Sequence, residues 1–126
     1  MEIRVEGNRE LIKSLRAVDK DLPKELSSIH REAAEPVAEY ASTLAPSRSG
    51  ALAGSIRALG SQRIGSVAAG RKSIPYAGPI HWGWPGHNIG SQPFLLDALE
   101  ARSEMVADRY MEGLDRFLDR VWESIP

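Results

Sequence analysis

The stretch Ser55-Ile56-Arg57-Ala58-Leu59-Gly60-Ser61-Gln62-Arg63-Ile64-Gly65-Ser66-Val67-Ala68-Ala69 decides the fold class. Its glycines and serines are too closely spaced for a long helix, since glycine costs backbone entropy and serine competes for backbone partners. It reads instead as two short strands, Ser55 to Leu59 and Ile64 to Ala69, joined around Gly60-Ser61-Gln62. Small residues make the period-two pattern shallow, so the assignment leans on the turn between the strands. At the start of the chain, Ile3 and Val5 alternate with Glu2, Arg4 and Glu6, which predicts a third, half-buried strand ended by Gly7-Asn8.

The segments outside these strands carry helical periodicity. Asn8 is placed to cap a helix with Leu11, Ile12, Leu15 and Val18 on one stripe, and Asp21-Leu22-Pro23 ends it. Pro23 then suits a first helical turn, and Leu26, Ile29, Ala33, Val37, Tyr40, Ala41 and Leu44 recur at helical spacing up to Ala45-Pro46. Pro36 interrupts that run and predicts a kink or two abutting helices. Residues 73–92 contain Pro75, Pro79, Pro85 and four glycines, which predicts an ordered loop with one helical turn near Ile80-His81-Trp82. Beyond Pro93, one stripe holds Leu95, Leu99, Arg102, Val106, Tyr110, Leu114, Phe117, Val121 and Ile125. Unbroken, this helix of about 93–125 extends ~48 Å at ~1.5 Å per residue and overhangs a compact domain of this size. Either Gly113 interrupts it, or its far end packs on a neighbour. The expected fold is therefore α+β in one domain, 1–126: a small antiparallel sheet packed against N-terminal helices and a long C-terminal helix.

The charges fall in blocks. Residues 1–39 carry a net −2, residues 40–96 carry +5 with no Asp or Glu, and residues 97–126 carry −4, within a chain of net charge −1. Such segregation speaks to association, not to fold. The basic side chains of the middle block are Arg48, Arg57, Arg63, Arg71 and Lys72. Clustered cations without acids suit a polyanion, but no aromatic residue stands between Ser47 and Lys72 to stack on bases. A basic strip facing protein or solvent is the favoured reading, and a nucleic-acid-binding module is the alternative. Trp82 and Trp84 flank Gly83, and they read either as interface anchors or as a cap over the sheet.

Catalytic and metal chemistry find little support. There is no cysteine among the 126 residues, which removes disulfides and thiolate ligands. His81 and His87 lie in the acid-free block, so no carboxylate near them in sequence completes a metal shell. Glycine-flanked serines such as Ser55, Ser61 and Ser66 match neither a nucleophile elbow nor a phosphate loop. No apolar run reaches the ~20 residues a membrane helix needs, and the alternating start is not a signal peptide. The expectation is a soluble protein, not an enzyme, with no cofactor, no metal and no membrane partner.

Three phrases stand in order: Ala45-Pro46 followed by Gly50, Leu52 and Ser55-Ile56; Tyr76-Ala77 followed by Ile80 and Gly83; and Pro93-Phe94-Leu95 followed by Ala98-Leu99. In this order and spacing the chain resembles the neck, or head–tail joining, proteins of long-tailed bacteriophages, a group that includes tail-component and minor tail proteins. The resemblance spans nearly the whole chain, and departs from the family pattern around Trp82-Gly83-Trp84. It implies an α+β virion subunit without catalytic activity, made in the host cytoplasm. Such a subunit assembles into a homo-oligomeric ring (hexamer or dodecamer) between the portal or head-closure proteins and the tail tube, and DNA passes through the lumen without sequence-specific binding. Pro46, Gly50, Leu52, Ile56, Tyr76, Gly83, Pro93 and Phe94 are then expected to set the fold. Arg48, Arg57, Arg63, Arg71, Lys72, Trp82, Trp84, Phe117, Val121 and Trp122 are expected at contacts with neighbouring subunits. Phe117, Val121 and Trp122 are expected to be buried only in the assembly.

Overall fold

The structure is a computed structural model that describes residues 1–5, 22–46, 50–72, 74–87 and 90–123. The helix expected after Asn8 lies outside the described residues, as does Arg48. Strand β1 is Glu2–Val5, helix α1 Leu22–Leu44, helix α2 Ala51–Ser55, strand β2 Arg57–Gly60 and strand β3 Gly65–Ala68. Helix α3 is Ala77–Trp82, a single 3-10 turn spans Pro85–His87, helix α4 is Phe94–Ala101 and helix α5 Ser103–Glu123. The α+β expectation holds: a three-stranded antiparallel sheet in the order β1-β3-β2 packs against the long helices.

The register explains the glycines of the hairpin. Ile3, Val67 and Ala58 are paired across the three strands, as are Val5, Gly65 and Gly60, so these six residues share one face. That face meets α1. A Cβ on Gly60 would stand 2.2 Å from Ser27 O and 2.6 Å from Arg31 N, and one on Gly65 would stand 2.6 Å from His30 O. The two glycines therefore let the sheet touch the helix backbone. The four-residue turn between them is closed by Ser61, whose N–H donates to Ile64 O at 2.9 Å and whose Oγ accepts the N–H groups of Arg63 and Ile64.

Helix α1 runs as one element through Pro36, so the alternative of two abutting helices does not occur. It buries Leu26, Ile29, Ala33, Val37 and Ala41 of the stripe read from the sequence, whereas Tyr40 is half-buried and Leu44, in the last turn, is exposed. Helix α5 lies antiparallel on it, with Arg102 on Tyr40, Tyr110 on His30, Gly113 on Ile29 and Arg120 on Glu25. The expected overhang is absent because the chain turns at Arg102 (φ −110, ψ 14), which separates α4 from α5. Its guanidinium sits 4.0 Å over the ring of Tyr40. Gly113 does not break the helix. A Cβ there would come within 3.0 Å of Ile29 Cγ1, so its missing side chain seats α5 against α1. At ~1.5 Å per residue, α1 and α5 are about 35 Å and 32 Å long and match each other.

The buried polar groups are tied between elements. The Tyr110 hydroxyl donates to Val5 O at 3.1 Å and lies 2.8 Å from His30 Nδ1, joining α5, β1 and α1. Ser55 Oγ donates to Leu52 O at 2.6 Å and accepts the Gly70 N–H at 2.8 Å. Gly70 was not singled out in the sequence. It has φ +88, and a Cβ on it would lie 2.8 Å from that of Ala77. Of the expected fold determinants, Leu52 and Phe94 are buried, Gly50 and Gly83 have positive φ, and Pro46 and Pro93 flank helices. Ile56 is half-buried against the core. Tyr76 differs: its side chain is 40% exposed, and its contribution is the backbone carbonyl that accepts the Ile80 N–H at 3.0 Å. The adjacent Ala77 fills the core position.

Candidate functional site

The residues expected at subunit contacts separate into three groups. Two are used inside the subunit. Phe117 is 5% exposed and belongs to the core, which corrects the expectation that it is buried only in an assembly. It faces α1, at the level where Arg116 pairs with Glu32 at 2.5 Å and Arg120 with Glu25 at 2.6 Å. Arg57 also has an internal role: one guanidinium nitrogen donates to Ser55 O at 2.8 Å and to Gly70 O at 3.1 Å. It fastens the start of β2 to the end of β3, and two of its five side-chain donors are no longer free for a partner.

The second group is exposed. Arg63 occupies the hairpin tip, and Arg71 and Lys72 occupy a turn in which the Ile74 N–H donates to Arg71 O at 2.8 Å. That turn abuts the start of α3 through Gly70 and Ala77. Trp82 closes α3 and is 58% exposed, and Trp84 follows it at 47%. Since α3 has six residues, its two ends are ~9 Å apart, and cations and tryptophans share one corner of the molecule. On α5, Trp122 is 78% exposed, with Met111 and Leu118 also exposed. The third group, Arg48 and the side chain of Val121, lies outside the described residues.

Helix α5 sorts its side chains into four stripes. Positions seven and four apart share a helix face. Tyr110, Leu114 and Phe117 face α1 and the sheet. Arg109, Arg116 and Arg120 form the border on which Arg116 and Arg120 meet α1 carboxylates. Met111, Leu118 and Trp122 form an exposed apolar stripe, and Asp108, Asp115 and Asp119, each three residues earlier, form an exposed acidic one. Among the described residues these three aspartates make no ion pair. At helical spacing Leu118 and Trp122 flank the stripe that holds Leu114 and Phe117. Their separation from it becomes visible only when α1 defines which face is covered.

The histidines are packed, not convergent. His81 is fully buried, with its ring edge-on to Trp82 at 4.2 Å and to Phe94 at 5.1 Å. Its Nε2 accepts the Leu96 N–H at 3.4 Å, so Nδ1 carries the proton of the neutral ring. Burial holds its pKa below the ordinary 6.5, with Asp97 opposing that shift. The loop around it is stitched to α3, with Ser91 Oγ donating to His81 O and the Gln92 N–H to Ile80 O, both at 2.9 Å. His87 lies 3.8 Å from Trp84, ring to ring. Among the described residues no three His, Asp or Glu side chains converge as a metal site, and no helix is long and apolar enough to cross a membrane. The described grooves are open to solvent and lined mainly by residues of α1, β2 and α5, among them the paired Glu25 and Arg120 and the tied Arg57.

Comparison of the chain with protein-family models, with characterised proteins and with solved structures finds no match.

Proposed function

We propose that this protein is a structural subunit of a long-tailed phage virion, assembling as a homo-oligomeric ring at the head–tail junction between head-closure and tail-tube proteins. The reading is supported by the three ordered phrases that resemble neck proteins and by the surface. One observation carries it. The molecule presents two separate exposed faces of opposite charge, each with large exposed apolar side chains: Trp82 and Trp84 beside Arg71 and Lys72, and Leu118 and Trp122 beside aspartates of α5. Exposed aromatics framed by charge suit protein contacts. A ring requires two different complementary patches on each copy. The function is one of scaffold and conduit, with no covalent step.

The test is the mass of the purified chain in solution over a wide concentration range, together with electron microscopy of any oligomer. A closed ring, hexameric or dodecameric, is the expected result. A species that stays monomeric alone and also with head-closure or tail-tube proteins overturns the reading.

The exposure of Arg63, Arg71 and Lys72 favours one second reading, nucleic-acid binding through the basic middle block. With Arg57 tied to the backbone, these three are the exposed cations of that block among the described residues. At ~0.9 per neutralised phosphate, the slope of log K against log salt on duplex DNA is no steeper than about −3 per subunit. Tight, salt-sensitive duplex binding by the monomer would replace the ring reading.

A further inference from the structure

We propose that successive copies of this chain join through one heterologous contact, in which the exposed stripe of α5 sits on the tryptophan corner of the next copy, with Asp108 and Asp115 opposite its Arg71 and Lys72. The inference rests on the ring reading above and names its interface. It follows from charge and placement. Met111, Leu118 and Trp122 form a straight apolar stripe on α5, and Asp108 and Asp115 run alongside it. Two such stripes packed on each other, as in a two-fold dimer, bring carboxylates against carboxylates, and like charges across an interface oppose the contact. Two tryptophan corners packed on each other do the same with Arg71 and Lys72. Only the unlike pairing places apolar on apolar and acid on base, and unlike patches on one chain propagate from copy to copy.

The internal pairings sharpen this complementarity. Arg116 and Arg120 turn to Glu32 and Glu25 of the same subunit, so two of the three bases of α5 are withdrawn from its acidic stripe. The acid-free segment 40–96 supplies the corner, so the residues around Trp82 include no carboxylate from their own segment. The two patches also lie on different elements. Helix α4 leads from Phe94, beside His81, to the turn at Arg102, and the α5 stripe then runs from Asp108, ~9 Å past that turn, to Trp122, ~30 Å past it.

The test uses the full chain in three forms: Asp108→Lys with Asp115→Lys, Arg71→Glu with Lys72→Glu, and all four together. All four positions are exposed, so thermal melts of the variants should match the parent. Sedimentation equilibrium then reads assembly. Each two-site reversal should weaken association by about tenfold or more at low salt, and the four-site form should restore it to within a few-fold. Trp122→Ala should weaken it at any salt concentration. If the parent assembles and the reversals leave assembly unchanged, or the four-site form fails to recover, this contact is wrong while the ring reading stands. If the parent remains monomeric at every concentration, this contact is wrong, and if it also stays monomeric with head-closure or tail-tube proteins, both fail.

Discussion

Phe117 and Trp122 are five residues apart on the same helix, and the structure assigns them opposite roles, so truncating each in turn is a sharp test of the fold. Phe117 is 5% exposed. Removing its ring loses about 2–3 kcal/mol of burial, and an unrelaxed void in place of a phenylalanine raises the usual cost to about 3–5 kcal/mol. The groove beside Phe117, lined by Gly113, Arg116 and Arg120, is open to solvent. Water can enter where the ring was, so the lower end, about 3 kcal/mol, applies. For a domain of this size each kcal/mol moves Tm by roughly 3–5 °C, so Phe117→Ala should melt about 9–15 °C below the parent. Trp122, at 78% exposed, should change the stability of the isolated subunit by no more than about 0.5 kcal/mol. Circular dichroism melts, run at concentrations where the chain is monomeric, give both values. A Phe117→Ala variant melting within ~2 °C of the parent would refute the packing of α5 on α1. So would a Trp122→Ala variant that falls as far as Phe117→Ala.

Two further outcomes follow from the sheet and from the buried ring. Gly60→Ala should be strongly destabilising although the residue is on the surface, because the new methyl meets the backbone of Ser27 and Arg31, which has no rotamer with which to yield. A urea midpoint lowered by an amount typical of a core truncation checks it, and a neutral result would mean that β2 does not rest on α1. Because the His81 pKa is lowered in the folded state, the unfolded chain takes up that proton first as pH falls. Stability contributed by His81 should therefore be complete above about pH 6.5, fall below it, and level off once the folded-state value is passed. In His81→Phe this component of the pH dependence, which sets in below about pH 6.5, should disappear, and persistence of the full slope would assign it elsewhere.

The fold was legible because its elements carry strong periodicity. The α1 stripe from Leu26 to Ala41 and the alternation of exposed Glu2 and Arg4 with buried Ile3 and Val5 reappear in the structure, and the hairpin forms within a residue or two of where it was expected. What the sequence could not show is where tertiary contact overrides local preference. Glycine is the poorest ordinary helix former and arginine one of the better, so Gly113 was the natural break and Arg102 was not. The structure reverses them because Ile29 needs the space at Gly113 and the ring of Tyr40 receives Arg102. The link from His30 to Tyr110 spans 80 positions and has no local signal. Arg57 gave no warning either, since its partners are carbonyls, which every residue has.

These pairings also change what the charge blocks mean. Counted along the chain, the middle block looked basic enough for a polyanion and the C-terminal block carried a net −4. Folding alters both. It ties Arg57 to the carbonyls of Ser55 and Gly70, which lowers the cation density a phosphate backbone would meet. It also turns Arg116 and Arg120 onto α1, which leaves the outward side of α5 more acidic than its composition. Weakening the basic patch makes it a poorer ligand for DNA, whose affinity grows with each phosphate neutralised. It would cost the proposed subunit contact far less, because there the exposed tryptophans would supply apolar area and charges mainly select partner and register. The fold thus moves the balance from a nucleic-acid surface toward a protein one, and it does so through residues that touch neither partner.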